Sequence, residues 1–245
     1  MTLEASNDLR SELAPTGKLR VGINHSNFLL VNPGSPHGAP LGIAPDLGAE
    51  LARRLGVPVQ YISFDAAGKT ADAVKTGAWD VAFLGAEPQR ANEIAFTAAY
   101  LEIPVTYLVP AGSPIGTLAQ VDREGVRVAV SAKSAYDLYL SRTLKHAKIV
   151  RAEGIPASFE LFKAQKLEAL AGLRPGLIRD AEKLAGSRVL EGQITAVQQA
   201  IGTPKARQAA ASYLRDFAED VKASGFVAQA IDKHGVRGVN VAPKA

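Results

Sequence analysis

The sequence predicts an α/β protein of two lobes, each built on a doubly wound sheet, with two hinge strands joining them. Strand and helix patterns alternate through the first 85 residues and start again after residue 125. Two extended segments, 103–110 and 194–201, are typical of crossings between lobes. We therefore expect a discontinuous lobe 1 (18–104 and 202–245), a lobe 2 (105–201) and an N-terminal extension (1–17).

The composition is that of an ordinary globular protein. Of the 245 residues, 47% are apolar and 21% are charged, which excludes the disordered and fibrous classes. No apolar run approaches the ~18 residues that a membrane helix needs, so we expect no membrane insertion. The net charge of +4 is dispersed along the chain and does not indicate a nucleic-acid surface. The absence of cysteine excludes thiolate metal sites and disulfides.

Lobe 1 begins with alternating strand and helix patterns. The first long helix carries Leu47, Leu51 and Leu55 at every fourth position, and Gly56 ends it. A short helix follows the second strand and reaches residue 77. The strands of this lobe are predicted at 18–24, 57–64 and 81–84.

The pattern restarts in lobe 2. A strand at 126–130 precedes a helix that begins with the capping-box pair Ser134 and Asp137. The proline at each end of 103–110 indicates a connection more than a central strand. Thr203-Pro204 predicts the start of a long helix. The other predicted elements are strands near 148–150 and 167–170, and helices at 157–164, after Pro175 and at 226–234.

The segment from Trp79 to Tyr100 carries the clearest indication of a binding site. Its strand ends at Gly85, and the pair Glu87-Pro88 that follows can open a helix with Arg90 in the first turn. Ligands of open α/β sheets bind beyond the carboxyl ends of the strands, where a guanidinium can hold a carboxylate with two parallel hydrogen bonds. We therefore expect Arg90 to bind an anionic solute; the alternative is an arginine on a solvated helix.

Five strings in this chain, taken in order, resemble the family-3 solute-binding proteins of bacterial uptake transporters. They are GKLRVGIN, GIAPDLGAELARRLGVPVQY, TGAWDVAFLGAEPQRANEIAFTAAY, VRVAVSAKSAYD and QQAIGTPK, within residues 17–235. The resemblance implies the two-lobed type II periplasmic-binding-protein fold, closure by hinge motion, and non-enzymatic binding of a small carboxylate-bearing solute. It also implies an ABC transporter permease as the partner and a monomeric state.

The resemblance further implies which residues contact the ligand. Arg90 matches the arginine that binds the ligand's α-carboxylate, and the segment from Ser131 to Tyr136 matches a helix start whose N–H groups bind the same group. The full set of candidate residues is Asn24, Asn27, Lys69, Gly85, Glu87, Arg90, Ser131, Ser134, Ala135, Tyr136, Gly172 and Gln198, with Phe28 as a further apolar wall.

Two features depart from the family pattern. The turn between Gly85 and Arg90 is shorter and lacks the usual Thr or Ser. The segment 170–175 contains no carboxylate where the family has an aspartate for the α-ammonium group, and Gly172 stands there instead. A buried ammonium without a counter-charge is costly, so we expect weak binding of ordinary α-amino acids. Glu87 is a possible substitute, although a helix-capping role is the simpler interpretation.

Two other functions remain open at this point. A lyase of the cyclohexadienyl-dehydratase type on the same fold would need a general acid, for which Glu87, Asp65 and Asp137 are candidates. A stand-alone ligand sensor is the second, although the chain has no helix-turn-helix pattern. The four histidines lack metal-ligand spacing, and no phosphate-binding loop is present, so we expect no metal and no cofactor.

The first 17 residues carry acidic side chains and lack the apolar core of a secretory signal. We expect a periplasmic location if an export signal has been removed and a cytoplasmic one otherwise.

Overall fold

The computed structural model describes residues 7–32 and 39–245, which divide into two compact units. Unit 1 is formed by Met1–Leu101, Gln198–Val236 and Val241–Ala245, and unit 2 by Glu102–Val197 and Arg237–Asn240. The predicted α/β class is confirmed.

Helices and strands alternate along most of the chain. The helices are α1 (Asn7–Leu13), α2 (Ile43–Leu55), α3 (Ala67–Asp72), α4 (Ala135–Thr143), α5 (Ile155–Ala164), α6 (Arg174–Glu182), α7 (Gln208–Ala223) and α8 (Phe226–Lys233). The strands are β1 (Leu19–Asn24), β2 (Val59–Phe64), β3 (Val81–Gly85), β4 (Ile94–Phe96), β5 (Leu101–Val109), β6 (Arg127–Ser131), β7 (Lys148–Ala152), β8 (Ala169–Leu173), β9 (Arg188–Val189), β10 (Thr195–Pro204) and β11 (Asn240–Val241).

The sheet of unit 1 has a parallel core. Strand β1 lies between β2 and β3 and is parallel to both, whereas β10 runs antiparallel to β3 and to β4. Helix α2 buries the predicted leucines, and Gly56 follows it with a φ of 67°, a conformation that glycine adopts without steric cost. Parallel β1 and β3 end at the same edge of the sheet, so the segments that follow Asn24 and Gly85 emerge on one side.

Two fully buried residues before β3 fix that strand in place. The Trp79 indole packs over Gly22, where an added Cβ would lie only 3.0 Å from the ring, and its Nε1 donates to the Thr70 carbonyl at 2.8 Å. The Asp80 carboxylate pairs with Arg20 and with Arg207, at 2.7 Å in each case. Because these contacts reach β1, α3 and the segment after β10, they set the position at which β3 ends.

The sheet of unit 2 has the order β5-β8-β6-β7. Strand β6 is parallel to β7 and β8, and β5 is antiparallel to β8. The prediction that 103–110 is less a central strand than a connection is wrong, because β5 pairs with β8 on one side and with β9 on the other. The ladder with β8 runs from Val105 to Leu108, so Pro104 and Pro110 flank it and cost it no hydrogen bond.

Two further differences from the predicted elements lie in unit 1. Thr203 and Pro204 belong to the end of β10, where they pair with β4, and the long helix α7 starts only at residue 208. Helix α1 was not predicted; it buries Leu13 completely, and its Glu12 carboxylate accepts a hydrogen bond from the Ala210 N–H at 2.7 Å.

Across the described ranges, none of the helices combines the length and the apolar composition needed to cross a bilayer.

Candidate functional site

Arg90 lies directly after β3, in a single 3₁₀ turn instead of the predicted helix. Its side chain folds back so that Nη1 donates to the Gly85 carbonyl at 2.7 Å, and only 7% of the residue is exposed. Burial lowers the pKa of the guanidinium to about 10, and the charges of Glu87 and Asp72 oppose that shift. Arg90 is therefore a buried cation at neutral pH, anchored at the carboxyl end of a central strand.

Glu87 is partly buried, and its backbone carbonyl accepts the N–H groups of Arg90 and Ala91, at 2.9 and 3.1 Å. The residue that precedes the Arg90 turn is Gln89 and not Glu87, and Gln89 makes no side-chain capping hydrogen bond. Glu87 thus closes the turn through its main chain, and its charge contributes to the field around Arg90.

The two predicted asparagines shape the turn after β1. The Asn24 side-chain oxygen accepts hydrogen bonds from the Ser26 N–H and hydroxyl, at 3.1 and 2.8 Å. Asn27, 6% exposed, accepts from the Leu29 N–H at 3.3 Å. Both carboxamide oxygens therefore accept hydrogen bonds within the loop itself.

Lys69 lies on α3 with 52% of its side chain exposed. Its ammonium pairs with Asp65, one helical turn earlier, at 2.9 Å. This hydrogen bond holds the pKa of the exposed Asp65 carboxyl below its ordinary value. An exposed i,i+4 pair contributes little to stability, so Lys69 is a weaker candidate than Arg90.

All but one of the predicted residues of unit 2 lie where β6 leads into α4. Ser134 caps the helix by accepting the Asp137 N–H at 3.1 Å, as predicted. Tyr136 is 3% exposed, and its phenol oxygen is hydrogen-bonded to Ser134 and Ser131. Burial raises the pKa of Tyr136 to about 12, against the opposing effect of these bonds. Tyr136 therefore packs inside unit 2, and its hydrogen bonds to Ser131 and Ser134 stabilise the turn.

The Asp137 carboxylate holds this turn together through several hydrogen bonds, which its place in the predicted capping-box pair does not indicate. It is 2% exposed and accepts hydrogen bonds from the Lys133 N–H at 2.8 Å, from the Ser141 hydroxyl at 3.2 Å and from the Arg151 Nε at 3.0 Å. Lys133 has a φ of 55°, which is uncommon for a residue with a side chain. The Asp137 bond holds Lys133 in this conformation and so sets the direction in which the chain enters α4.

Gly172 lies on β8, in the same sheet as the strand that leads to this turn. A Cβ added there would be 3.0 Å from the Leu177 Cδ2 atom. Leu177 on α6 is 3% exposed. An apolar side chain therefore covers the position at which the family pattern leads one to expect a carboxylate.

Gln198 is a predicted site residue, whereas its neighbour Gln199 is not. Gln198 is exposed, and its carbonyl accepts the Ala86 N–H at 2.8 Å. Gln199 is 5% exposed and lies opposite Gly85, and next to it Tyr100 is fully buried. Within the part of the chain that the structure covers, the Gln199 Oε1 and the Tyr100 hydroxyl have no hydrogen-bond partner. Period-2 alternation along β10 is the signal that distinguishes Gln199 from Gln198.

The described residues also contain a groove of about 520 Å³ on the surface of unit 1. It lies between α2 and α8, and no predicted site residue lines it. Over the same residues, no group of three or more His, Cys, Asp or Glu side chains is arranged to hold a metal ion.

Solved structures share this fold. A mutant of ArgBP from T. maritima superposes with a TM-score of 0.78 at 21% identity, covering 93% of this chain and 99% of that one. The solute receptor for L-cysteine of Neisseria gonorrhoeae gives a TM-score of 0.77 at 19% identity, with 95% and 96% covered. The ancestral amino acid-binding protein AncCDT-1, a precursor of cyclohexadienyl dehydratase, gives a TM-score of 0.74 at 22% identity, with 91% and 97% covered.

The sequence itself carries the family assignment. The family model for bacterial extracellular solute-binding proteins, family 3, matches residues 19–237, which is most of the chain. The protein therefore belongs to the family-3 bacterial extracellular solute-binding proteins.

Proposed function

We propose that this protein binds a small carboxylate-bearing solute without changing it chemically, as the substrate-binding component of an ABC-type uptake system. The observation that carries the proposal is Arg90, a buried cation at the end of β3 with a pKa of about 10. A charge kept in a desolvated position acts more strongly on an anion than an exposed one. Family membership and the amino-acid-binding neighbours support the same class of function.

Unit 2 contributes the second set of contacts in this proposal. The start of α4 presents the positive end of a helix dipole, with Ser131, Ser134 and Ala135 at its entrance. The capping Ser134 is already bound to the Asp137 N–H, so the N–H groups of the first helical residues are the donors for an anion. Asn24, Asn27 and Gln198 supply neutral polar contacts in this scheme, and Lys69 an additional charge.

The solute we propose lacks an α-ammonium group. The segment 170–175 carries no acid, and Leu177 occupies the space over Gly172. An ammonium brought against this apolar surface would lose its hydration without gaining a counter-charge. Carboxylates without the amine avoid that cost, and this distinguishes the protein from the amino-acid receptors of the same fold.

A lyase is less well supported by the candidate acids. Asp65 is exposed and its Lys69 partner lowers its pKa, which makes it a poor proton donor at neutral pH. Asp137 is committed to the β6–α4 turn. Glu87 is the one candidate of the three that is neither exposed nor committed to that turn, and its charge acts on the buried Arg90 guanidinium.

The transport role sets further expectations. We propose that the predicted lobes move about the segments near 103–110 and 194–201, that the partner is a transporter permease, and that the protein acts as a monomer in the periplasm.

A thermal-shift screen tests the proposed function. The wild-type protein is heated with a panel of carboxylates, each paired with its α-amino counterpart, for example succinate with aspartate and propionate with alanine. A ligand that binds the folded state raises the melting temperature by mass action. We expect stabilisation by at least one carboxylate and weak or no stabilisation by its amino counterpart. Strong stabilisation by amino acids alone would refute the specificity, and conversion of a hit to a new product would favour the lyase.

A further inference from the structure

Strand pairing and hydrogen bonds connect four residues across the end of the unit 1 sheet, and we call these residues the row: Arg90, Gly85, Gln199 and Tyr100. Gly85 on β3 and Gln199 on β10 lie opposite each other, and the neighbouring Ala86 N–H donates to the Gln198 carbonyl. Gly85 and Gln199 are therefore a non-hydrogen-bonded pair whose own carbonyls point outwards. The Gly85 carbonyl accepts from Arg90 at 2.7 Å, and the Gln199 carbonyl accepts from the Tyr100 N–H at 2.8 Å.

The Gln199 and Tyr100 side chains lie on the same face of this sheet. Residues directly opposite each other in a ladder share a face, as do residues two apart in a strand, so Gln199 is on the face of Phe83. The Tyr100 ring meets the Phe83 ring edge-on, with centroids 5.9 Å apart. Between Phe83 and Arg90, Gly85 adds no side chain to that face.

Both side chains bury a polar atom that lacks a protein partner. Gln199 is 5% exposed and Tyr100 is fully buried, and neither the Oε1 atom nor the phenol is hydrogen-bonded to any described residue. Leaving such a group unsatisfied destabilises the folded protein, and buried polar groups in native proteins have partners as a rule. Two such atoms on one sheet face, on the strand pair whose Gly85 carbonyl anchors Arg90, indicate a place where a third polar group binds.

We propose that Gln199 and Tyr100 form a subsite for a hydroxyl group of the bound solute, beside the carboxylate held by Arg90. The Gln199 oxygen can only accept, whereas the phenol can donate. A solute hydroxyl that donates to Gln199 and accepts from Tyr100 satisfies both atoms and brings no charge. The subsite rests on the proposed function and makes it more specific: the solute class is a hydroxylated carboxylate.

Calorimetry with matched acids tests the subsite. The probes are malate against succinate and lactate against propionate, which differ by one hydroxyl. The variants are Tyr100→Phe and Gln199→Met, with Tyr213→Phe as a control outside the row. We expect the wild type to bind the hydroxylated member of at least one pair 10-fold or more tightly. Either row variant should reduce that preference to less than 3-fold, with the affinity for the plain acid unchanged, and the control should retain the preference.

The outcomes separate the two proposals. Equal binding of both members of each pair would overturn the subsite and leave the proposed function intact, whereas no binding of any carboxylate would overturn both. A crystal structure with the bound hydroxy acid gives a second readout that does not depend on the variants. The solute hydroxyl within hydrogen-bond distance of both side chains supports the subsite, and a water retained there with the solute bound refutes it.

Discussion

The two units hold their candidate binding groups by different physical means. Unit 1 uses a formal charge: Arg90 is desolvated at the end of β3 and tied to the Gly85 carbonyl. Unit 2 uses the main chain at the start of α4, in a turn held by the Asp137 carboxylate and Arg151. A buried charge loses its effect when the side chain is replaced, whereas main-chain donors lose theirs only when the turn changes shape. We therefore expect a substitution of Arg90 to remove its interaction with the solute directly, and a substitution in unit 2 to change affinity through the shape of the turn.

The largest effect on solute affinity is expected from substitutions of Arg90. Replacing it by Met should weaken carboxylate binding by more than about 100-fold, and Arg90→Lys by about 10-fold, because lysine keeps the charge but not the planar fork. From its sequence position alone, Arg90→Ala is predicted to leave the melting temperature nearly unchanged. The structure instead predicts that loss of the bond to Gly85 lowers the free energy of unfolding by about 1–3 kcal/mol.

Calorimetry and urea unfolding measure the two consequences separately. Arg53→Met is the matched control, since Arg53 is an exposed arginine of the same unit that pairs with Glu50 on the surface. Its affinity should equal that of the wild type. Undiminished affinity in Arg90→Met would remove Arg90 from the site.

An intermediate effect is expected at Asp137. Asp137→Asn removes the charge that Arg151 faces and weakens the bond that holds Lys133 at positive φ. Because Arg151 is 47% exposed, we expect a loss of about 1–3 kcal/mol in unfolding free energy, less than for a fully buried pair. The affinity should fall by about 10-fold through the altered turn.

Ser141→Ala serves as the control for Asp137, because it removes one hydrogen bond to the same carboxylate and leaves the Lys133 bond in place. Affinity measurements on both variants compare the effect of losing the Ser141 hydrogen bond with that of weakening the Lys133 hydrogen bond. If Ser141→Ala weakens binding as much as Asp137→Asn does, the Lys133 conformation does not determine the solute affinity.

The smallest effect is expected at Glu50, in unit 1 but outside the candidate site. Hydrogen bonds from Arg53, and also from Arg54, hold the pKa of Glu50 at about 2, below its ordinary value of 4.5. A carboxyl with a lowered folded-state pKa stabilises the protein above pH 4.5 and loses that contribution as the pH falls towards 2. Glu50→Gln should flatten this part of the stability profile and leave solute affinity unchanged. Urea unfolding across the range measures it, and an unaltered profile would contradict the assignment.

Local sequence signals predicted the elements that short-range chemistry controls. Leucines at every fourth position and a following glycine marked α2, and the pair Ser134 and Asp137 marked the start of α4; both are confirmed. Capping, helical periodicity and left-handed glycines depend on neighbours within a turn or two, so the residues themselves carry the information.

Long-range pairing explains where the prediction failed. Prolines at 104 and 110 suggested a connection, but β5 fits between β8 and β9 because its ladder with β8 runs between those prolines. Thr203-Pro204 has the form of a helix start, yet pairing with β4 keeps the two residues in a strand. In both cases a partner distant in sequence outweighed the local preference.

The sequence by itself determined the α/β class, the family and the placement of an arginine after β3, because each depends on residue order and local pattern. Only the tertiary structure decided the surroundings of those residues. It places the Arg90 guanidinium against the Gly85 carbonyl and Leu177 over Gly172, and it leaves the buried Gln199 Oε1 and Tyr100 hydroxyl without a hydrogen-bond partner among the described residues. Burial and hydrogen-bond partnership depend on segments far apart in the chain, and these set the pKa values of the candidate site residues.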